Sequence, residues 1–112
     1  MYDYSFTRVD RVLKRHQFRY LYNHGKKIQN KHFLVFYYKN DQERTRLGIT
    51  VSKKVGKAPT RNRIKRIIRE YFRTNRKNIT GKWDINIIAK KESSEISTDI
   101  TRSSLKSLLE EL

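Results

Sequence analysis

The segment PTRNRIKRIIREYFRTNRK, residues 59 to 77, combines an apolar repeat with a dense run of cations. At 100° per residue, its isoleucines and its two aromatic residues fall within a stripe of about 140°, which is the i, i+3, i+4, i+7, i+8 pattern of a helix that packs on a core. Pro59 suits the first turn of such a helix, where its missing N–H has no intrahelical acceptor. The segment therefore predicts a helix anchored through one face. The stripe consists of Ile64, Ile67, Ile68, Tyr71 and Phe72.

The opposite face of this helix predicts a binding surface. Eight Arg or Lys side chains surround Glu70, the one carboxylate of the segment. An exposed helix with a purely structural role usually carries acidic partners one turn away from its cations, and one glutamate cannot serve eight of them. Arginine grips phosphate oxygens through two parallel hydrogen bonds, so we interpret this face as a phosphate-binding ridge. The ridge consists of Asn62, Lys65, Arg66, Arg69 and Arg73.

The charge of the whole chain agrees with this interpretation. The 112 residues carry a net charge of +16, and residues 52 to 77 hold 11 basic side chains against one acidic side chain, a net +10. Self-repulsion at this density disfavours a compact state unless a polyanion neutralises it. Nucleic acid is the first partner to expect, and an anionic membrane surface is the second.

Composition also limits the class of protein. At 112 residues and 36% hydrophobic content, residues 1–112 are expected to form a single domain. The chain has no cysteine, which excludes disulfides and thiolate metal sites and makes the cytoplasm the default location. MYDYSFTRVDR at the N-terminus has no apolar run of signal-peptide length, and no segment reaches the roughly 20 apolar residues of a membrane span.

The remaining segments predict short elements. Helical spacing indicates a first helix from about Arg15 to Asn23 with Gly25 as its stop, and a closing helix from about Ser97. Strands are predicted at 32–39, 46–52 and 84–90, with turns at 40–44 and 78–83. This order predicts an α+β domain with helices packed on a mostly antiparallel sheet.

The stretch LGITVSKKVGKAPTRNRIKRIIREYFR, residues 47–73, closely resembles the signature region of the bacterial ribonuclease P protein subunit. Its central RNR is Arg61, Asn62 and Arg63. The resemblance extends to RVLKRHQFRYLYNHGKK before it, to the aromatic strand NKHFLVFYY, and to INIIAKK after it. It therefore covers most of the chain.

The resemblance implies a fold and an activity. The family fold is a four-stranded sheet with three helices and a left-handed βαβ crossover, similar to a domain of ribosomal and elongation-factor proteins. Family members bind a large catalytic RNA, and the ribonucleoprotein is an endoribonuclease that removes the 5′ leader of precursor tRNA. The RNA performs the catalysis with Mg²⁺ held at its own active site, the protein assists, and neither a membrane nor a small-molecule substrate takes part.

Two sets of site residues follow from the resemblance. The arginine-rich motif would contact the catalytic RNA, and a cleft between the sheet and the first helix would receive the single-stranded leader, whose bases stack on aromatic rings. Phe18 and Tyr22 also have the i, i+4 spacing of ordinary core residues. The RNA-binding set is Lys53, Lys54, Arg61, Asn62, Arg63, Lys65, Arg66 and Arg69, and the leader set is Phe18, Tyr22, Phe36 and Lys90.

Other interpretations predict different behaviour. The spacing of His16, His24 and His32 does not bring two of them to one site, so we expect the protein by itself to lack a catalytic centre. A ribosomal protein or RNA-assembly factor with no role in cleavage is the main alternative. A helix-turn-helix DNA binder is disfavoured because strands precede the basic helix.

The chain departs from the family pattern in two places. Pro59 stands where an aliphatic residue is more common, and it could shift the start of the central helix by a residue. Glu110 and Glu111 stand near the C-terminus, where many members have a basic tail.

Overall fold

The computed structural model describes residues 15–41 and 44–112. The N-terminal stretch MYDYSFTRVDR and residues 42 and 43 of the predicted turn lie outside these ranges. Within them, no helix combines the length and apolar character that crossing a membrane requires. The elements of the described residues are the helices α1 (Arg15–His24), α2 (Ala58–Asn75) and α3 (Thr98–Leu109), and the strands β1 (Lys26–Gln29), β2 (Phe33–Lys39), β3 (Arg46–Thr50) and β4 (Trp83–Ala89).

The four strands form one mixed sheet in the order β1-β2-β4-β3. Strand β2 pairs antiparallel with both β1 and β4, whereas β3 pairs parallel with β4. Helix α2 lies in the connection between these two parallel neighbours, as a βαβ unit requires. The predicted α+β class and mostly antiparallel sheet are confirmed, and the left-handed sense of the crossover stays a prediction.

The main core lies on one face of the sheet. Alternate residues of a strand point to opposite faces, so Phe33 and Val35 face the same side as Ile85 and Ile87 of the paired strand β4. Helices α2 and α3 cover this side. The largest side chains that close this core from the helices are Ile64, Ile68, Phe72, Leu105 and Leu108.

Helix α2 forms as the repeat predicts. Ile64, Ile67, Ile68 and Phe72 are buried, and Tyr71 is half-buried against the same core. Pro59 is the second residue of the helix, which begins at Ala58 after an extended Lys57. The proline therefore lies in the first turn, where no backbone hydrogen bond is lost.

Helix α1 packs on the other face of the sheet. Leu21 is its buried anchor, and it lies against Phe36 of β2 with Phe18 beside it. The helix ends at His24, and the N–H of the following Gly25 donates to the Leu21 carbonyl at 2.8 Å. A Cβ at Gly25 would stand 2.6 Å from that oxygen and 3.0 Å from the Tyr37 carbonyl, so only glycine lets the chain turn here.

Strand β1 is an element that the hydrophobic pattern did not predict. Its sequence, KKIQ, has one apolar residue, Ile28, and its lysines are exposed. The strand forms because it follows α1 directly and pairs in register with β2. Asn30 then fastens the turn, since its side-chain oxygen accepts from the N–H of His32 and of Phe33 at 2.9 Å each.

Helix α3 closes the main core and is tied to the β1–β2 turn. Ser97 caps its start by accepting from the Ile100 N–H at 3.1 Å. The Asn30 amide donates to the Ser104 hydroxyl at 2.8 Å, and the His32 ring lies 3.0 Å from the same oxygen. His32 is therefore part of the contact between α3 and the sheet.

Candidate nucleic-acid interface

The ridge of α2 faces away from the core, as the helical spacing predicts. Asn62 and Arg66 are exposed, and Lys65 and Arg69 are half-buried. The one carboxylate of the segment is neutralised within the helix, because the Arg73 guanidinium bonds both oxygens of Glu70. The outward face of α2 is therefore a positive surface.

Two arginines of the RNR sequence are held in place by backbone carbonyls. Arg61 donates from Nε to the Gly56 carbonyl at 3.1 Å, and Arg63 donates from a terminal nitrogen to the Ser94 carbonyl at 3.3 Å. A guanidinium has five N–H donors, so each side chain keeps most of its donors for a ligand. The bonds fix where those donors point, which lowers the entropy lost on binding an anion.

Lys53 and Lys54 lie in a 3₁₀ turn, Lys53–Val55, between β3 and α2. Both lysines are exposed, whereas Val55 is buried in the main core. The buried valine fixes the turn next to the beginning of α2, since the turn packs on that helix. The structure thus brings the predicted lysines and the RNR arginines to neighbouring positions.

A groove between α2 and α3 adds a cation that the sequence analysis did not assign. The groove has a volume of about 350 Å³ and contains Arg102 of α3 together with Arg63 and Arg66. Arg102 lies 4.0 Å from Asp99 in an exposed pair that contributes little to stability. Residues 92 to 112, the segment that contains Arg102, have more acidic than basic side chains, so counting charge along the chain does not single out this arginine. We call this the arginine groove; it is lined by Arg63, Arg66, Ile67, Glu70, Thr98 and Arg102.

The aromatic residues assigned to the leader cleft meet on the α1 face of the sheet. The ring centroids of Tyr22 and Phe36 are 5.5 Å apart, and Phe18 packs on the cluster that contains Phe36. Their exposure differs strongly: Tyr22 is 71% exposed, whereas Phe36 is 8% exposed. Tyr22 therefore offers a ring to solvent, and Phe36 supports that ring from below.

Lys90 lies at the end of β4 on the same face, and its ammonium is engaged. It donates to the Gln29 side-chain oxygen at 2.6 Å and to the Asn30 carbonyl at 2.7 Å. These bonds tie β4 to the end of β1. An ammonium has three donors, so one remains for an anion.

Polar side chains continue this face from Phe36 toward β3. Asn86 stands opposite Phe36 in the β2–β4 register and accepts at Oδ1 from the Thr50 hydroxyl at 3.1 Å. At the other end of β4, Arg46 donates to both oxygens of Asp84 at 2.8 and 2.7 Å. Asp84 and Asn86 alternate with buried isoleucines in DINII, which is the sequence signal that marks one polar face.

The opposite side of α1 carries a second aromatic cluster. Tyr20 stacks on His24 at 4.2 Å between centroids and meets Tyr38 of β2 edge-on at 5.3 Å. The hydrogen bond between the two tyrosines is the main cause that raises the pKa of the Tyr20 hydroxyl. His24 thus lies apart from His32, which contacts α3.

The described residues do not fit a metal site held by the protein. Among residues 15–41 and 44–112, no group of three or more His, Asp or Glu side chains is placed to hold a metal ion. The expectation that Mg²⁺ is bound by a partner RNA remains a prediction.

The family model described as Ribonuclease P matches residues 6–112. The chain belongs to the ribonuclease P protein family. The Ribonuclease P protein component of Desulfosudis oleivorans is 54% identical over 90 residues, which are 80% of this chain and 74% of that protein. The Ribonuclease P protein component of Desulforapulum autotrophicum is 44% identical over 112 residues, which are 100% of this chain and 96% of that protein.

Solved structures of ribonuclease P proteins share the fold. The protein from Staphylococcus aureus superposes with a TM-score of 0.84 at 37% identity and covers 89% of this chain and 92% of its own. The protein from Thermotoga maritima gives a TM-score of 0.84 at 37% identity, with coverage of 91% and 96%. The predicted resemblance to the ribonuclease P protein family is therefore confirmed over nearly the whole chain.

Proposed function

We propose that this chain binds the catalytic RNA of ribonuclease P and the 5′ leader of precursor tRNA, and assists Mg²⁺-dependent removal of that leader. Membership of the ribonuclease P protein family supports a role in the ribonuclease P complex. The two surfaces described above, the ridge of α2 and the α1 face of the sheet, support separate contacts with the two RNAs. The catalytic RNA would contact the ridge and the 3₁₀ turn. The leader would lie on the α1 face of the sheet.

The observation that carries the proposal is the anchoring of α2. Ile64, Ile68 and Phe72 are at most 1% exposed, so the cations on the other side of the helix project from a rigid support. A duplex RNA presents phosphates at fixed spacing, and a rigid set of cations binds them with less loss of side-chain entropy. The proposed contacts are Lys53, Lys54, Arg61, Asn62, Arg63, Lys65, Arg66 and Arg69, with Arg102 added from α3.

The leader would be bound by stacking and by a cation. Tyr22 exposes its ring above Phe36, and a base can stack on such a ring whatever its sequence. Phe18 closes the aromatic wall, and the Lys90 ammonium stands near the end of β4 for a phosphate. These residues would hold the substrate and take no part in the chemistry.

Mg²⁺ belongs to the partner RNA in this proposal. The ion supplies charge neutralisation and an activated water at the scissile phosphate. The protein's part is electrostatic: added positive charge lets the RNA and its substrate associate with fewer free cations. We place the complex in the cytoplasm.

Reconstitution tests the proposal. The purified protein is combined with the catalytic RNA of the same organism, and cleavage of a precursor tRNA is followed as the Mg²⁺ concentration is lowered. We expect the protein to lower the Mg²⁺ concentration needed for half-maximal cleavage, and we expect no cleavage by the protein without the RNA.

Two outcomes would contradict the proposal. Metal-dependent cleavage by protein freed of RNA would mean that the chain is itself a nuclease. Tight binding to the RNA with no change in cleavage at any Mg²⁺ concentration would favour an assembly role. A variant with Arg66→Ala and Arg69→Ala serves as a control, because it lowers the ridge charge and leaves the apolar stripe intact.

A further inference from the structure

Helix α1 presents aromatic rings on both of its sides. With Leu21 facing the sheet and 100° per residue, Phe18 and Tyr22 lie on one flank and Tyr20 and His24 lie on the other. Each flank meets the same face of β2, because Tyr22 contacts Phe36 and Tyr20 contacts Tyr38. The leader cleft accounts for the first flank. The second flank has no role in the proposed function.

A groove of about 300 Å³ opens beside the second flank. Its lining includes rings from both faces of the sheet, because the neighbouring residues Tyr37 and Tyr38 of β2 point to opposite faces. Tyr37 and Trp83 meet edge-on at 5.4 Å on one side of it, and Tyr38 stands on the other. We call this the tyrosine groove; it is lined by His24, Lys26, Tyr37, Tyr38, Lys39 and Trp83.

Two rings are more exposed than folding requires: Tyr38, which lines the groove, and Tyr20, which contacts Tyr38 beside it. Tyr20 is 45% exposed and Tyr38 is 42% exposed, and neither belongs to a buried cluster. A stacked pair and an edge-on pair nevertheless hold these rings in fixed orientations. Adjacent large aromatic rings left in solvent are a sign of an interaction site, and fixed rings lose little entropy when a ligand stacks on them.

The charge around the groove selects the class of ligand. Lys26 and Lys39 line it and are exposed, and no carboxylate lines it among the described residues. Asp84 stands opposite Tyr38 in the register of β2 and β4, but its two oxygens accept from Arg46, so its charge is compensated. A groove with lysines and exposed rings suits an anionic ligand with flat rings.

We propose that the tyrosine groove is a second stacking site for single-stranded RNA, on the side of α1 opposite to the leader cleft. Tyr38 and Tyr20 would stack with bases, and Lys26 and Lys39 would contact the neighbouring phosphates. The groove lies at the small end of the range for ligand sites, which suits a few unpaired nucleotides and excludes a duplex. The inference rests on the proposed function in one respect, which is the identity of the RNA that provides the single strand.

The single tryptophan of the chain, Trp83, lines the groove and reports on it directly. The full-length protein is titrated with a short oligouridylate, and Trp83 fluorescence is measured beside the anisotropy of the labelled oligonucleotide. We expect Tyr38→Ala to weaken binding about fivefold or more and to reduce the change in Trp83 fluorescence. Tyr38→Phe keeps the ring and should bind within about twofold of the parent.

Two controls separate stacking from charge and from folding. Inorganic polyphosphate has no bases, so its affinity should be the same for Tyr38→Ala and the parent. Tyr22→Ala removes an exposed ring from the other flank, and it should leave the oligonucleotide-induced change in Trp83 fluorescence in place. Thermal melting of each variant confirms that the fold persists.

The inference is overturned if Tyr38→Ala keeps the parent's dependence of Trp83 fluorescence on oligonucleotide concentration, or if it loses polyphosphate affinity in the same proportion. Anisotropy also reports binding in the leader cleft, so the Trp83 signal decides. The reconstitution experiment is independent of this titration. Assisted cleavage together with no dependence on Tyr38 would reject the tyrosine groove alone. If oligonucleotide binding depends on Tyr38 but the protein has no effect on cleavage in the reconstitution, the groove is supported and the proposed function is rejected.

Discussion

Tyr22 and Phe36 form a pair in which one ring is accessible and the other is structural. The Tyr22 ring is 71% exposed and rests 5.5 Å from the ring of Phe36, which is 8% exposed. Loss of the exposed ring should remove a stacking surface and little else. Loss of the buried ring leaves a cavity beneath Leu21 and should disturb α1 as well. The assignment of both residues to the leader cleft stays a prediction, and this contrast gives it a test.

Tyr22→Ala should weaken binding of precursor tRNA by about 1 to 3 kcal/mol while the affinity for mature tRNA stays the same, because only the leader distinguishes the two substrates. Equilibrium titrations of the reconstituted complex with both tRNAs measure the difference. Tyr22→Phe is the matched control and should retain the parent affinity. An equal loss for both tRNAs would show that Tyr22 does not contact the leader.

Phe36→Ala should lower both leader affinity and stability. Removing a buried phenylalanine usually costs about 3 to 5 kcal/mol of unfolding free energy. Chemical denaturation gives the stability of the variant, and titration with precursor and mature tRNA gives the affinities. A stable variant with unchanged affinity for the leader would remove Phe36 from the cleft.

At the scale of elements, helix α2 and strand β1 differ in how far the sequence determines them. The apolar stripe of α2 repeats over several turns, so local spacing predicts both its fold and its buried face. Strand β1 has four residues with one apolar side chain, and it exists because β2 supplies its hydrogen-bonding partners. Such a strand depends on tertiary pairing, which a single polar segment does not reveal.

The same distinction applies to the candidate site. The cations of the ridge follow from the period of α2, and the resemblance supplies the cleft residues. Arg102 and Asn86 did not emerge from the sequence, because their relevance arises from contacts between separate elements. Arg102 joins the arginine groove across α2 and α3, and Asn86 lies beside Phe36 through strand register.

Substitutions on the two faces of α2 should have opposite effects. Arg66→Ala should weaken binding of the catalytic RNA and reduce the slope of affinity against salt concentration, because fewer counterions are released. Its melting temperature should not fall, since the side chain is exposed. Ile67→Ala should lower the unfolding free energy by about 2 to 5 kcal/mol, because this residue is 7% exposed.

Lys106→Ala is a matched control for Arg66→Ala, since it removes one exposed positive charge from α3 at a position outside the predicted RNA-binding set. It should have a smaller effect on the salt slope. RNA binding by filter retention at several salt concentrations and thermal melting together distinguish the variants. Equal loss of melting temperature in Arg66→Ala and Ile67→Ala would make the ridge a structural feature.

The net charge of +16 is a property of the molecule as a whole. Like charges repel in the compact state, so the free protein is less stable than its core alone would make it. A polyanion that binds the folded chain removes this repulsion and adds binding free energy to stability. Stabilisation by a ligand at one hundred times its Kd is about 2.7 kcal/mol.

The melting temperature should therefore rise with added salt and rise further with catalytic RNA. A differential scanning experiment at increasing sodium chloride, followed by RNA at fixed salt, measures both effects. Arg66→Ala together with Arg69→Ala should gain less from the RNA than the parent does. A melting temperature that falls with salt would show that attractive ion pairs outweigh the repulsion.

The position of β4 sets the order in which the protein can mature on the ribosome. This strand lies between β2 and β3, yet it is synthesised after both of them and after α2. Until residues 83–89 leave the exit tunnel, β3 lacks its partner in the sheet, and the apolar stripe of α2 has no complete surface to cover. A nascent chain that stops earlier would carry its arginines on an unsupported segment. The chain can therefore present a rigid basic surface only after residues 83–89 have left the tunnel and paired with β2 and β3.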